Sequence, residues 1–243
     1  QEAKQMNYVA EACKWSQALD SPESVPRMIE QAVRYSMNGR PGASYIDLRS
    51  TIMRQRVDKE AIEQLPMAKS HLANQSQAAP ASMAAAVQLL MQAKRPLLIV
   101  GKGAAYAEAH DELLELVEKT NIPFLPTPMG KGCIPDDHPN FVMPARSTAL
   151  KGADVVLLVG ARLNWILHFG GPPRYDDGVK FIKVDILPEE MDNGKEAEVA
   201  LVGHAKAVIA QMNEAVAASG GFTVPKDGEW WQTLSDKVAA NVK

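Results

Sequence analysis

RPLLIVGKGAAYAEAHDELLEL, residues 95–116, is the stretch of sequence that decides the fold. The apolar run LLIV leads into Gly101-Lys102-Gly103, and an acid-rich segment with helical spacing follows. An apolar run without polar alternation is typical of a parallel strand that is covered on both faces. A strand, a tight turn and a helix in this order form the unit in which many α/β proteins hold a phosphate. The third glycine of the dinucleotide-binding pattern is absent, since Tyr106 stands in its place.

The same rhythm continues along the chain and predicts an α/β fold. Strands that alternate with helices indicate a parallel sheet with helices on both faces. We therefore predict a doubly wound, mostly parallel sheet of the six-stranded, Rossmann-like type. The predicted strands are 97–100, 123–126, 154–160, 180–186 and 199–203, and the predicted helices are 81–91, 106–119, 145–151 and 204–218.

The region before residue 81 has a different character. Residues 1–49 resemble the last helix and strand of a preceding domain, because an apolar helical stripe ends near Gly39 and the short strand ASYIDL follows. Such a strand needs partners, which we expect upstream of the chain. Since the chain has no initiator Met, we expect it to be part of a longer protein. The predicted division is 1–49 as the end of one domain, 50–80 as a polar linker with one short helix, 81–220 as a central domain and 221–243 as a tail.

Composition excludes several classes of protein. The chain has 243 residues, of which 46% are apolar and 23% charged, as in an ordinary soluble globular protein. Its net charge of -3, with scattered Lys and Arg, gives no reason to expect a nucleic-acid partner. No apolar run approaches the roughly 18 residues of a membrane span, and no signal peptide is visible. The two cysteines, Cys13 and Cys133, favour a reducing, intracellular compartment.

Ligands of a parallel sheet bind beyond the carboxyl ends of its strands. Four loops lie there in this chain: 101–105, 127–135, 160–179 and the turn after KFIKVD. In the first, Gly101 and Gly103 allow the backbone to approach an anion and Lys102 adds a charge, although a tight turn with a solvated lysine explains them equally well. Arg162 follows the third strand and suits either a phosphate or a structural salt bridge. Asp185 ends another strand and suits either ribose hydroxyls or a turn cap.

Other candidate residues favour structural interpretations. Arg40, in GRPG, suits the dipole of the helix before it. The aromatic residues of loop 160–179 favour packing against another domain or subunit. No two of the five histidines have metal-binding spacing, and the GxSxG, HExxH and P-loop patterns are absent. The strand 123–126 ends without the acid that a nicotinamide site places on the ribose, which disfavours a dehydrogenase. The chain therefore has means of binding and no visible catalytic set.

Several motifs together resemble one enzyme family over nearly the whole chain. GRPGASYIDL, RPLLIVGKGAAYAEA, IPFLPTPMGKGCIPDDHP, ARSTAL, GADVVLLVGARLNWILHFGGPPRY and KFIKVDI are similar to the 2-hydroxyacyl-CoA lyases, which are thiamine-diphosphate enzymes related to the oxalyl-CoA decarboxylases. GKGAAY and GARLNW occur in both groups, whereas NWILHFG with PPRY is closer to the lyases.

The resemblance implies a reaction, its cofactors and a set of binding residues. The complete enzyme would cleave a 2-hydroxyacyl-CoA to formyl-CoA and a shorter aldehyde, as in fatty acid α-oxidation. Its thiamine diphosphate, Mg²⁺ and catalytic residues would lie outside this chain, so we expect the chain alone to be inactive. The central domain would bind ADP or the nucleotide of CoA. By resemblance, this nucleotide site contains Arg40, Gly101, Lys102, Gly103, Arg162 and Asp185, and Ala145, Arg146 and Ser147 line the CoA channel.

Alternatives remain at this point. Oxalyl-CoA decarboxylase is the second candidate, and a non-catalytic nucleotide-binding or interaction module is the third. By resemblance we also expect a homo-oligomer, a dimer or tetramer, with no membrane span. The expected location is the peroxisome in a eukaryote and the cytoplasm in a bacterium.

Overall fold

The structure, a computed structural model, describes residues 3–65 and 75–242. It contains two compact units, Gln1–Asn74 and Gln75–Lys243. The division falls inside the predicted linker 50–80. Part of that linker, including Pro66 and His71, lies outside the described residues.

The first unit is a two-stranded parallel sheet with short helices. Ala18 on one strand lies opposite Asp47 on the other. The long helix is preceded by a 3₁₀ turn at Pro22–Ser24 and is followed by Gly39 in a left-handed conformation, with φ of +65°. The elements are α1 (Gln5–Val9), β1 (Trp15–Ala18), α2 (Val25–Met37), β2 (Ser44–Asp47), α3 (Ser50–Met53) and α4 (Lys59–Glu63).

Two expectations for this region need correction. The strand ASYIDL does not depend only on partners upstream of the chain, because β1 pairs with β2. The sequence WSQA does not predict β1, because it is short and half polar. The linker segment begins with two short helices, α3 and α4, rather than one.

The second unit is a five-stranded sheet in which every pair of neighbouring strands is parallel. The strand order is β4-β3-β5-β6-β7. This confirms the α/β class with a parallel sheet, although the described sheet has five strands and not six. The elements are α5 (Pro80–Gln92), β3 (Pro96–Val100), α6 (Lys102–Tyr106), α7 (His110–Thr120), β4 (Phe124–Pro126), α8 (Arg146–Gly152), β5 (Val155–Val159), β6 (Lys180–Asp185), β7 (Val199–Val202), α9 (Ala205–Ala218) and α10 (Glu229–Asn241).

The strand order determines where a ligand can bind. The chain runs from β3 outward to β4 and then returns past β3 to β5, so the direction of strand addition reverses between β3 and β5. Every residue of β3 and β5 is buried, as their unbroken apolar sequences predict. Open α/β sheets bind ligands beside such a reversal, at the carboxyl ends of the strands.

The helix predicted at 106–119 is two helices. Because Glu108 has a left-handed conformation, with φ of +52°, the chain cannot continue one helix through it. The short helix α6 begins at Lys102, directly after the glycine of the strand-to-helix turn, and α7 begins after Glu108, at His110.

The segment after α9 packs against the rest of the second unit. The indole N–H of Trp230 donates to the carbonyl oxygen of Pro96 at 3.0 Å, and that of Trp231 donates to the carbonyl oxygen of Asn121 at 3.0 Å. The ammonium group of Lys226 lies 3.5 Å from the centre of the Trp231 ring. Within residues 3–65 and 75–242, no helix has the length and apolar character needed to cross a membrane.

Candidate functional site

The loops after β3 and β5 touch each other at the reversal of strand order. The N–H of Gly103 donates to the carbonyl oxygen of Gly160 at 2.8 Å, and that of Gly101 donates to the carbonyl oxygen of Val159 at 2.8 Å. A Cβ atom on Gly101 would lie 2.4 Å from the Cβ of Ala161. Both glycines therefore permit the close approach of the two loops, and their predicted place beside an anion stays a prediction.

Lys102 extends from this contact into solvent. Its side chain is exposed, and its ammonium group lies 4.8 Å from the centre of the Tyr106 ring. A cation over an exposed aromatic ring gains only about 0.5–1 kcal/mol, so the ammonium can move to an anionic ligand at small cost.

Arg162 lies after β5 and faces the carboxylate of Glu190, a contact that the sequence does not indicate. Its Nη1 is 3.9 Å from Oε1 of Glu190, and 54% of the Arg162 side chain is exposed. The Glu190 side chain is only 12% exposed, but 3.9 Å is close to the longest distance of an ion pair, so the more exposed guanidinium keeps capacity for a phosphate. Glu190 is distant from Arg162 along the chain, and the sequence around Glu190 does not indicate that the two side chains meet.

Asp185, the last residue of β6, takes part in a local turn. Its Oδ1 accepts a hydrogen bond from the N–H of Leu187 at 3.0 Å. This is the turn-capping role that the sequence allowed. A second role towards a ribose stays a prediction.

The fold brings three of the predicted nucleotide-binding residues to one edge of the sheet. Lys102 and Arg162 follow β3 and β5, and Asp185 ends β6; these three strands are neighbours in the sheet. The N–H of Gly160 donates to the carbonyl oxygen of Val184 at 2.8 Å, which fixes the ends of β5 and β6 together. Arg40 belongs to the first unit, where it is half-buried in the turn after α2.

The predicted CoA-channel residues lie at the start of α8. Ala145 is buried and Ser147 is exposed, whereas Arg146 is half-buried. The Nη2 of Arg146 donates to the carbonyl oxygen of Ile166 at 2.6 Å, so this arginine fixes the loop after β5. A cavity of about 110 Å³ adjoins it and is lined mainly by apolar groups, namely Ile99, Leu125, Pro126, Thr127, Pro128, Met143, Ile166 and Leu167.

The loop after β5 presents aromatic side chains in two ways. Trp165 and Phe169 are 73% and 58% exposed. Tyr175 is buried, with its ring edge-on to Phe181 at 5.4 Å. Burial raises the pKa of the Tyr175 hydroxyl, which has no hydrogen-bond partner among the described residues.

His168 occupies a constrained turn in the same loop. Both His168 and Phe169 have left-handed backbones, with φ of 51° and 53°. Burial, and then the charges of Arg146 and Arg174, lower the pKa of His168. A neutral imidazole is therefore favoured beside these two cations. In the parts of the chain that the structure describes, no group of three or more His, Cys, Asp and Glu side chains is placed to hold a metal ion.

Comparison with known proteins connects this geometry to a family. Residues 83–212 match the family described as "Thiamine pyrophosphate enzyme, central domain". The chain is 46% identical to human 2-hydroxyacyl-CoA lyase 1 over 235 residues, which are 95% of the chain and 40% of the human protein. It is 39% identical to 2-hydroxyacyl-CoA lyase of Arabidopsis thaliana over 244 residues, or 99% of the chain and 42% of the relative. It is 40% identical to oxalyl-CoA decarboxylase of Escherichia coli K12 over 207 residues, or 84% of the chain and 36% of the relative.

Proposed function

We infer the function of this chain from one premise: it belongs to the thiamine pyrophosphate enzyme family, whose central domain it contains. The chain spans about two fifths of the length of the curated relatives it matches. The activity of a whole protein that contains it is therefore a proposal. The observation that carries the proposal is the 46% identity to a 2-hydroxyacyl-CoA lyase across 95% of this chain.

We propose that the chain is part of a carbon–carbon lyase that cleaves a 2-hydroxyacyl-CoA to formyl-CoA and an aldehyde. Thiamine diphosphate would act as the electron sink of this cleavage. The described residues offer no acidic cluster for the Mg²⁺ that accompanies a diphosphate. The family resemblance predicts that both cofactors bind outside this chain, and we derive no step through them from its residues.

We further propose that the carboxyl edge of the five-stranded sheet binds ADP or the ADP-like end of CoA. Lys102 and Arg162 supply two cations beside the reversal of strand order, and both side chains extend into solvent. Charge-assisted hydrogen bonds from such groups are the usual means of holding a diphosphate. Asp185 lies on the next strand, where an acid can accept hydrogen bonds from a ribose.

The CoA chain would continue from this edge towards α8. Arg146 and the 110 Å³ cavity lie at the carboxyl ends of β3 and β4, beside the proposed nucleotide site. The apolar lining suits the hydrocarbon part of pantetheine or an acyl group, and Arg146 holds the cavity wall by its bond to Ile166. Arg40, on the first unit, stays a predicted member of the nucleotide site.

The reaction can be tested on the full-length protein that contains this chain, supplied with thiamine diphosphate and Mg²⁺. We expect formyl-CoA and the shortened aldehyde from a 2-hydroxyacyl-CoA, both measured by mass spectrometry. The second candidate, oxalyl-CoA decarboxylase, is kept because of the 40% identity to the bacterial enzyme. Faster turnover of oxalyl-CoA, with release of carbon dioxide, would favour it. Turnover of neither thioester would favour a non-catalytic binding module.

A further inference from the structure

Lys183 is a buried lysine that is bonded to backbone carbonyls. It lies in β6 with 3% of its surface exposed, although lysine is almost never fully buried unless it is paired. Its ammonium group donates to the carbonyl oxygen of Met191 at 2.6 Å and to that of Asn193 at 3.0 Å. These two bonds offset the cost of removing the charge from water. The side chain thus connects the sheet to the segment that follows β6.

That segment carries the carboxylate opposite Arg162. Glu190 lies one residue before Met191, and the side-chain amide of Asn193 donates to Oε2 of Glu190 at 3.0 Å. The other carboxylate oxygen, Oε1, is the one 3.9 Å from Arg162. Burial lowers the pKa of Lys183, whereas the charges of Asp192 and Glu190 raise it, so these carboxylates lie near the ammonium. Contacts therefore run from Lys183 through 190–193 to Arg162.

We propose that Lys183 is a positioning residue of the nucleotide site. By holding 191–193 against the sheet it fixes Glu190, and Glu190 orients Arg162 at the carboxyl end of β5. The inference deepens the proposed nucleotide-binding function and rests on it. The positioning role also explains why a lysine stands in a strand where its neighbours, Ile182 and Val184, are buried and apolar. A methionine would fill the same space but leave two carbonyl groups without their donor.

Calorimetric titration with ADP tests the proposal. Lys183→Met should weaken ADP binding by about tenfold, within the range for residues that act on a site through intermediates. Lys183→Arg should restore most of the affinity, because a guanidinium can donate to both carbonyls. Lys180→Met is the matched control: it removes a lysine from the other end of the same strand, where the ammonium is bonded to Glu198. We expect it to leave ADP affinity unchanged.

A double-mutant comparison separates positioning from mere stabilisation. In an Arg162→Ala background, Lys183→Met should not reduce ADP affinity further, although it should still lower the melting temperature. Unchanged affinity in folded Lys183→Met, or an equal loss of affinity in both backgrounds, would overturn the proposal. Lys183→Gln, which removes the charge but keeps an amide NH2 group as a donor, replaces Lys183→Met in every arm if the latter does not fold.

Hydrogen exchange without nucleotide tests the positioning independently of binding. The N–H groups of Glu190, Met191 and Lys195 are bonded to backbone carbonyls. Their exchange should accelerate in Lys183→Met and stay unchanged in Lys180→Met. Unchanged exchange in both variants would refute the positioning role. If the two variants show this exchange pattern but the unsubstituted chain does not bind ADP, only the proposed nucleotide site would be refuted.

Discussion

The N–H of Gly103 donates a hydrogen bond to the carbonyl oxygen of Gly160 at 2.8 Å, across the point where the strand order reverses. This bond joins the loop after β3 to the loop after β5, and each loop carries one of the proposed phosphate-binding cations. The contact is possible only because neither residue has a side chain: a Cβ atom on Gly103 would lie 2.8 Å from the Cα of Gly160. The geometry of the candidate site thus depends on two glycines that need not touch a ligand.

Gly103→Ala should lower the free energy of unfolding by about 1–3 kcal/mol, the usual cost of overpacking. The added methyl group meets backbone, which cannot rotate away. Gly171→Ala is the control, because a Cβ there has nothing within 4 Å. Urea denaturation should show a change within about 0.5 kcal/mol for the control. Equal stability of the two variants would show that the loops are not in close contact.

Trp230→Ala should destabilise the chain by about 3–5 kcal/mol, because it removes a buried indole and its hydrogen bond to Pro96. Trp165→Ala, at a side chain that is 73% exposed, should change stability by less than about 0.5 kcal/mol. Denaturant unfolding of both variants tests whether the segment after α9 is part of the central domain. If Trp230→Ala cost no more than Trp165→Ala, that segment would not belong to the domain.

Stability should fall as the pH drops below about 6.5, in part through His138. Burial, as the largest effect, lowers the pKa of His138, and its Nδ1 accepts a hydrogen bond from the N–H of Asn140 at 3.0 Å. Between the lowered pKa of the folded state and the ordinary value of about 6.5, the unfolded chain binds more protons, so acid favours unfolding.

Urea denaturation at pH 7.5, 6.5 and 5.5 would measure this effect. His138→Asn should show a smaller loss of stability over that interval, while His168 and His204, whose pKa values are also lowered by burial, retain their share. An identical pH dependence in the variant would exclude a contribution from His138.

Amide hydrogens at 43–48 should exchange before those at 154–159. All four residues of β2 are partly exposed, whereas every residue of β5 is buried between two parallel neighbours. Hydrogen exchange followed by mass spectrometry measures both segments in one experiment. Equal protection would mean that the first unit is as stable as the central domain.

The sequence predicted the central sheet well because its strands are unbroken apolar runs. Such runs are expected only where helices cover both faces, and β3 and β5 are buried at every residue. The sequence does not predict the interruption of the helix at Glu108, because the apolar periodicity continues across that residue. The sequence does not predict the strand β1, because WSQA does not alternate between apolar and polar residues.

The candidate site was predicted less completely, for a physical reason. Lys102 and Arg162 lie in the loops just after β3 and β5, and Asp185 ends β6, so the topology alone brings them to one edge. Glu190 contacts Arg162, which is distant along the chain. Lys183 is bonded to backbone carbonyl groups. Neither kind of contact leaves a local pattern in the sequence. Gly101 and Gly103 contact the neighbouring loop, which their sequence pattern does not indicate, and their place beside an anion stays a prediction.

Titration calorimetry with ADP and with NAD tests the nucleotide-binding proposal most directly. We expect ADP to bind more tightly than NAD, and Lys102→Ala and Arg162→Ala each to weaken ADP binding by about 1.5–3 kcal/mol, the scale of a lost charge-assisted hydrogen bond. Lys180→Ala, at the amino end of β6 and thus at the opposite edge of the sheet, should leave the affinity unchanged. The account would be contradicted if ADP did not bind, if NAD bound equally well, or if neither Lys102→Ala nor Arg162→Ala weakened the binding of ADP.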